Sequence, residues 1–137
     1  MKIALDPGAY TPIRAHADDA GLDLRTPVEV VLHPRSAAII DTGVHVELPP
    51  NTVGMLKSKS GLNTLHGIVS EGVIDVGFSG AIKVKLYNHS DERYIFHAGD
   101  KITQLVVLPL HPVGDIEIVD SVTPGERGNN GYGSSGK

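Results

Sequence analysis

Apolar and polar residues alternate in several short runs along the chain, and a two-residue period of this kind is typical of β-strands with one buried face. The clearest run is AIKVKLY, at residues 81–87, whose aliphatic side chains would face a core while its lysines face solvent. Similar runs predict strands at residues 2–5, 28–32, 37–48 (two runs divided at Thr42-Gly43), 53–57, 94–97, 102–110 and 115–119.

One segment, residues 60–65, predicts a helix. Ser60 is a suitable N-cap, and Gly67 is a suitable residue to end the helix. Lys57 and Lys59 precede the helix, so the loop and the helix N-terminus could form an anion site. Exposed lysines in a polar loop are the alternative interpretation.

Many short strands, regular turns and one short helix predict an all-β fold, a distorted jelly roll or β-sandwich. Residues 1–123 would form this β domain. Residues 124–137 are rich in glycine and have almost nothing to bury, so we expect a flexible C-terminal tail that belongs to the same domain.

The composition supports this interpretation and limits the possible partners. Hydrophobic residues make up 40% of the 137 residues and aromatic residues only 4%, so Val, Ile and Leu must fill most of the core. The net charge of −4 provides no basic field for nucleic acid. The chain has no signal-like N-terminus, no apolar run long enough to span a membrane and no cysteine, which favours a cytoplasmic protein, or one in the host cytoplasm if a virus encodes it.

Asp75 and a cluster of three other aspartates are candidate functional carboxylates. Asp75 lies among glycines just before the 81–87 strand, where it could either cap a turn or act as a general base held by a rigid element. Asp18, Asp19 and Asp23 surround Gly21, and they could form a solvated acidic loop or part of a cation-linked site.

The glycine-rich tail carries groups that suit phosphate recognition. Arg127 offers a cation, Ser134 and Ser135 offer hydroxyl donors, and Tyr132 offers an aromatic face. Glycines allow successive backbone N–H groups to converge on phosphate oxygens. The sequence therefore predicts a phosphate-binding tail.

Five short segments of the chain resemble, in the same order, the five motifs of the homotrimeric dUTP diphosphatases (dUTPases). The matching segments are AGLDL (20–24), KSKSGL (57–62), GVIDVGFSG (72–80), GDKITQLV (99–106) and RGNNGYGSSGK (127–137). Each motif alone is a weak signal, but five in this order are highly specific.

The resemblance implies that the protein hydrolyses dUTP to dUMP and pyrophosphate with Mg²⁺. This reaction limits uracil incorporation into DNA and supplies dUMP for thymidylate synthesis. Asp75 occupies the position of the general base that activates water for attack on the α-phosphorus. The metal is held largely by phosphates and water in this family, so Asp23 would be at most a water-mediated ligand.

The resemblance also implies how the substrate is held. Phe78 would lie under the deoxyribose, Tyr132 would stack on the uracil, and the backbone of a hairpin from Val69 to Gly72 would read the uracil edge. The expected phosphate contacts are Lys59, Ser60, Gly61, Gln104, Arg127, Gly133, Ser134 and Ser135. Further substrate contacts are implied at Val73, Ile74 and Lys83.

Sites in this family are shared between subunits of a homotrimer, with the tail of one subunit reaching a neighbour. Two positions depart from the usual motifs. Lys59 stands where Arg is usual, so a bidentate phosphate contact is lost. Phe78 stands where Tyr is usual, so the ring face remains and the hydroxyl is absent.

Two other functions compete with this interpretation. The related dCTP deaminases share the ID-x-G-aromatic-S-G turn, but they need a glutamate where this chain has Lys85. A β-sandwich that binds a nucleotide or a protein without turnover is the other alternative. Incubation with dUTP, dCTP and UTP separates the three, because only the deaminase releases ammonia and only the hydrolase releases pyrophosphate.

Overall fold

The structure, a computed structural model, describes residues 1–111 and 113–129, and these residues form short β-strands and one helix, α1 (Ser60–His66). The strands in chain order are β1 (Lys2–Leu5), β2 (Gly21–Arg25), β3 (Val30–Leu32), β4 (Ala37–Asp41), β5 (Val44–Glu47), β6 (Thr52–Lys57), β7 (Ile68–Ile74), β8 (Lys83–Asn88), β9 (Tyr94–Phe96) and β10 (Lys101–Pro109).

A six-stranded antiparallel sheet forms the centre of the fold, with the strand order β2-β10-β6-β7-β8-β4. Two ribbons, β1-β5 and β3-β9, accompany this sheet. Strands that are distant in sequence are neighbours in the sheet, since β10 lies between β2 and β6. The predicted all-β fold of short strands with one short helix is confirmed.

The alternation in β8 shows how the sequence forms these strands. Val84, Leu86 and Asn88 are buried, whereas the residues between them are exposed. Opposite faces of a strand carry alternate side chains, so the aliphatic face of β8 reaches the core. The core consists almost entirely of Val, Ile and Leu, and Phe96 is its aromatic member.

Several strand predictions were incomplete. Strands β2 and β7 were not predicted, because their short runs are interrupted by Gly, Asp or Ser and lack a clean two-residue period. The segment 115–119, predicted as a strand, is not one, and Ile116 and Ile118 are 84% and 95% exposed. Alternation alone does not make a strand, which also needs a hydrogen-bonded neighbour, and none of the strands named above pairs with this segment.

The helix prediction is correct in position but wrong about the cap. The N-cap is Lys59 and its side chain makes no cap hydrogen bond, so Ser60 is the first helical residue. Gly67 ends the helix as expected, with a φ of 63° in the left-handed region that glycine tolerates. No helix in the described part of the chain is long and apolar enough to cross a membrane.

Candidate functional site

Asp75 follows the last residue of β7 and begins a tight turn. The N–H of Phe78 donates to the carbonyl of Asp75 at 3.2 Å, and Gly77 has a φ of 93°, which favours glycine. The side chain of Asp75 is exposed. The turn therefore presents a solvent-accessible carboxylate from the end of a rigid strand.

The ring of Phe78, three residues after Asp75, lies against Gly80. A Cβ atom added at Gly80 would stand 2.8 Å from Cζ of Phe78, so glycine is required for the ring to pack there. Phe78 remains 45% exposed. An apolar platform therefore accompanies the carboxylate in the same turn.

Asp23 lies in β2 and is the centre of a second group. Its side chain is only 4% exposed, and Lys101 Nζ donates to its Oδ2 at 2.6 Å while Lys59 Nζ donates to its Oδ1. Burial alone would raise the pKa of this carboxyl, but the hydrogen bonds from Lys101 and Lys59 and the charges of the two ammonium groups lower it. Two ammonium groups on one carboxylate leave a local excess of positive charge, which suits an anionic ligand.

Sequence reasoning missed Lys101 as a member of this group. The residue is in the fourth motif segment, three positions before Gln104, but nothing in that spacing shows that its ammonium meets Asp23. The contact arises because β10 pairs with β2, with Gln104 opposite Asp23 in register. Only the sheet topology brings the two lysines together.

Gln104 is held by close packing in the same region. Its Nε2 donates to the carbonyl of Ser58 at 3.1 Å, which ties β10 to the residue before the helix cap. A Cβ atom added at Gly21 would stand 2.5 Å from Oε1 of Gln104. Gly21, in the first motif segment, therefore makes room for the glutamine of the fourth.

A buried polar contact between β7 and β10 lies next to the end of β6. The hydroxyls of Ser70 on β7 and Thr103 on β10 lie 2.7 Å apart, and Thr103 also donates to the carbonyl of Lys57 at 3.0 Å. Ser58 donates to the carbonyl of Ser70 at 3.1 Å. These contacts fix the end of β6, from which Lys59, Ser60 and Gly61 extend.

The backbone predicted to read a base, from Val69 to Gly72, lies in β7, which forms an antiparallel hairpin with β8. Strand β8 pairs with Ile68, Val69 and Ser70 of β7, and strand β6 pairs with Glu71 to Ile74. Within the described ladders, β8 does not extend to Glu71–Ile74, so the β8-side edge of these residues carries no strand partner. This open edge includes Gly72, Val73 and Ile74 and leads directly to Asp75, whereas Val69 lies within the β8 ladder.

The other predicted residues are distributed around these groups. Lys83 is exposed at the start of β8, opposite Asp41 in register. Arg127 is exposed in a turn in which the N–H of Gly128 donates to the carbonyl of Gly125 at 2.9 Å. Tyr132, Gly133, Ser134 and Ser135 lie outside the described residues.

Lys85, the residue that separates the hydrolase from the deaminase interpretation, is on the exposed face of β8. Its Nζ lies 4.9 Å from the centre of the Tyr87 ring. A cation stacked on an aromatic ring at the surface cannot take the part of a buried carboxylate base.

We call Lys59 and Lys101, which both bind Asp23, the lysine group. Within one chain, the Asp75 turn and the lysine group lie at opposite ends of the β6–β7 pair. Lys57 is opposite Glu71, and Gly54 is opposite Ile74, so Asp75 lies four residues along the ladder from Lys57. At about 3.3 Å per residue, this spacing is about 13 Å. The ladder therefore separates Asp75 from the end of β6, which leads to Lys59 and pairs at Lys57 with Gln104.

Comparisons with known proteins agree on one family. A family model described as dUTPase matches residues 9–136. The deoxyuridine 5'-triphosphate nucleotidohydrolase of Clostridium kluyveri is 42% identical over 131 residues, which cover 93% of this chain and 91% of that protein. The enzyme of the same name from Nocardia farcinica is 42% identical over 136 residues, which cover 96% of this chain and 82% of that protein.

Solved structures show the same fold. The dUTPase of Staphylococcus bacteriophage 80alpha with dUPNHPP superposes with a TM-score of 0.87 at 30% identity, over 99% of this chain and 98% of that one. A dUTPase mutant from phage phi11 of S. aureus superposes with a TM-score of 0.80 at 28% identity, over 88% of this chain and 96% of that one, and its structure is described as revealing the coordination of a structural Mg(II) ion.

Proposed function

Because the chain belongs to the dUTPase family, we propose that it hydrolyses dUTP to dUMP and pyrophosphate. The reaction would limit uracil incorporation into DNA and supply dUMP for thymidylate synthesis. The observation that carries the proposal is the Asp75 turn: an exposed carboxylate, an aromatic platform and an open backbone edge lie together in one short segment.

Asp75 is the general base of the proposed mechanism. Its carboxylate orients a water molecule and takes a proton as the water oxygen attacks the α-phosphorus. The bond from the α-phosphorus to the oxygen that bridges to the β-phosphate breaks, and pyrophosphate leaves. Because the side chain is exposed at the end of β7, a water molecule and a phosphate can reach it without displacing core residues.

The open edge of β7 suits recognition of the base. Along Gly72, Val73 and Ile74, the backbone N–H and C=O groups that face the open edge, those of alternate residues, can pair with the donors and acceptors of uracil, and cytosine is rejected because its amino group reverses the donor pattern. The ring of Phe78 lies under the deoxyribose and leaves little room for a ribose 2′-hydroxyl. Tyr132, in the tail, stacks on the uracil.

The phosphates bind to the lysine group and to the tail. Lys59 supplies a charge that Asp23 already orients, and Lys101 adds a second ammonium beside it. Gln104 and the helix start at Ser60 and Gly61 add polar contacts. The tail, residues 124–137, closes over the triphosphate with further contacts from Arg127, Gly133, Ser134 and Ser135.

Magnesium enters this proposal as part of the substrate complex. Among the residues that the structure describes, no three His, Cys, Asp or Glu side chains converge as a metal site, and both oxygens of Asp23 are engaged by lysines. Mg²⁺ commonly keeps several waters and binds substrate phosphates with few protein ligands. Bound to the triphosphate, it offsets the charge of the leaving pyrophosphate, and Asp23 stays a predicted water-mediated contact at most.

The separation of the two groups supports a homotrimer with shared sites. Along the β6–β7 ladder, Asp75 lies about 13 Å from Lys57, which leads to Lys59, and a site shared between chains would bring both groups to one substrate. In a closed symmetric assembly, the Asp75 turn of one subunit meets the lysine group of the next.

The test measures hydrolysis of dUTP, dCTP and UTP by the wild type and by a variant that lacks the proposed general base. The protein with Mg²⁺ is expected to release pyrophosphate from dUTP and not from dCTP or UTP, and to release no ammonia. Asp75→Asn should lower kcat by about 10²- to 10⁴-fold, the usual contribution of a positioned general base, while dUTP binding by calorimetry persists.

The same measurements can contradict the proposed function or the role of Asp75. Ammonia from dCTP would identify a deaminase, and binding of dUTP without pyrophosphate release would identify a binding module. A near wild-type rate in Asp75→Asn would exclude Asp75 as the base while leaving the substrate assignment intact.

A further inference from the structure

His45, in the middle of β5, joins two segments that are far apart in the sequence. Its Nδ1–H donates to the carbonyl oxygen of Ser79 at 2.8 Å, and its Nε2–H donates to Oδ1 of Asp6 at 3.1 Å. Ser79 belongs to the turn that begins at Asp75 and carries Phe78. The imidazole therefore links the candidate catalytic turn to the segment after β1.

The same turn is fixed independently on its C-terminal side. The N–H of Ile82 donates to the carbonyl of Val44 at 2.8 Å, and the hydroxyl of Thr42 donates to the carbonyl of Ile82 at 2.8 Å. These contacts hold the strand after the turn to the corner between β4 and β5. The Ser79 carbonyl lies three residues closer to the catalytic carboxylate, and His45 holds it.

The two partners of His45 require a particular protonation state. A backbone carbonyl is only an acceptor, and an ionised carboxylate is only an acceptor, so both ring nitrogens must carry a proton. The neutral ring has one N–H and can satisfy only one of these partners. The geometry thus describes an imidazolium.

The charges around the ring favour the same state. Asp6 faces it from the segment after β1, and Asp41 at the end of β4 adds a second negative charge, while Lys2 and Glu47 on the same β1–β5 ribbon pair with each other at 2.9 Å. The hydrogen bond to the Ser79 carbonyl, then the hydrogen bond to Asp6, then the charges of Asp6 and Asp41 raise the pKa of His45.

We propose that His45 is a positioning residue for dUTP hydrolysis, whose imidazolium holds the turn with Asp75 and Phe78 in the geometry that the substrate needs. This proposal rests on the proposed function for its kinetic test only. Because the pKa is raised above the ordinary value of 6.5, both hydrogen bonds of the tether are present below that pH, and one of them is lost as the pH rises through the pKa of the folded protein. The side chain of His45 is 29% exposed, so the ring can exchange protons with solvent.

Two substitutions of His45 distinguish the effect of its hydrogen bonds from the effect of its protonation. In His45→Leu the tether is absent at every pH, and the loss of both hydrogen bonds should lower kcat/KM about three- to tenfold at pH 6. The deficit should shrink at alkaline pH, where the wild type keeps only one of its two hydrogen bonds. In His45→Asn the amide nitrogen stands where Nδ1 stood and can donate to Ser79 at every pH, so kcat/KM relative to wild type should rise with pH.

Two further variants serve as controls. Asp6→Asn removes the charge that favours the imidazolium, so the pH range in which the deficit of His45→Leu shrinks should move down. His97→Leu removes a histidine that also contacts a carboxylate, Oε2 of Glu29 at 3.2 Å, on the β3–β9 ribbon. Its kcat/KM relative to wild type should not change with pH.

A titration by NMR tests the tether without any substrate. The pKa of His45 should lie above 6.5 and fall in Asp6→Asn, and the amide signals of residues 76–80 should titrate with it. A His45 pKa at or below 6.5, or a deficit of His45→Leu that stays constant with pH, would overturn the proposal. If the turn titrates with His45 but dUTP is not hydrolysed, the proposed function fails and the tether stands.

Discussion

At the scale of the residue, the carboxyl group of Asp23 holds two of the charges of the candidate site. It is nearly inaccessible to solvent and accepts hydrogen bonds from Lys59 and Lys101. Without the carboxylate, the two ammonium groups would repel each other and have to turn towards solvent. Asp23 therefore positions the cations that we assign to phosphate binding.

Asp23→Asn is expected to lower the free energy of unfolding at pH 7 by about 2–3 kcal/mol, because it leaves two partly buried cations without their counter-charge. The folded-state pKa of Asp23 lies below its ordinary value of 3.8, so its stabilising contribution is present above that pH and is lost as the pH falls through the folded-state pKa. Urea unfolding of both proteins between pH 7 and pH 2.5 should show the difference diminish on the acid side.

Glu47→Gln is the matched control for this measurement. Glu47 pairs with Lys2 at 2.9 Å, but both side chains are largely exposed, and exposed ion pairs contribute about 0–1 kcal/mol. A stability loss in Asp23→Asn no greater than in Glu47→Gln would contradict the role of Asp23 as the anchor of the two lysines.

At the scale of the element, β10 is the strand that connects the parts of the lysine group. It pairs with β2 on one side and with β6 on the other. Ile102 and Leu105 face the core while Gln104 reaches towards Ser58. The close approach of β2 is possible because Gly21 has no side chain where Gln104 packs.

Gly21→Ala is therefore expected to displace the side chain of Gln104. The new methyl group would stand 2.5 Å from Oε1 and 2.9 Å from Cβ of that residue, which is closer than any stable contact. We expect kcat/KM for dUTP to fall about tenfold, as for loss of a charge-assisted hydrogen bond to a phosphate, with a stability loss of about 1–3 kcal/mol from overpacking.

A double-mutant cycle shows whether Gly21→Ala lowers activity because it displaces Gln104. In a Gln104→Ala background, adding Gly21→Ala should lower kcat/KM little further, since the displaced group is already absent. Strictly multiplicative losses in kcat/KM would mean that Gly21 acts by another route.

At the scale of the whole molecule, we propose that each site is shared between two chains. The register of β6 and β7 places Asp75 about 13 Å along the ladder from Lys57, the residue that leads through Ser58 to Lys59. Shared sites in a symmetric trimer make a clear prediction for mixed assemblies.

Asp75→Asn chains and Gln104→Ala chains should each hydrolyse dUTP poorly when alone. After joint unfolding and refolding, mixed trimers contain sites with Asp75 from one chain and Gln104 from another, and random mixing should restore up to about a quarter of the wild-type rate. Pyrophosphate release is the readout, and native mass spectrometry verifies that the chains have mixed. No recovery in verified mixed trimers would place the whole site within one chain.

The sequence by itself determined the strands with clean alternation, the position of α1 and the family. These features depend on neighbours in the chain: alternation at residues 81–87 places aliphatic side chains on one face, and Gly67 supplies the conformation that ends a helix. The order of the five motif segments is also a property of the sequence, and the family comparisons confirm the identification. The predicted roles of Tyr132 and of the other tail residues stay predictions.

Only the tertiary structure decided which of these segments meet. Asp23 looked like part of an acidic loop, but the pairing of β2 with β10 buries it and brings Lys101 to it. Residues 115–119 alternate as well as a strand does, yet no strand named above pairs with them. His45 carries no motif signal, and its contact with the turn that we propose to be catalytic crosses 34 residues of sequence. The physical reason is that alternation and turn preference are local, whereas burial, ion pairing and strand partners depend on long-range register.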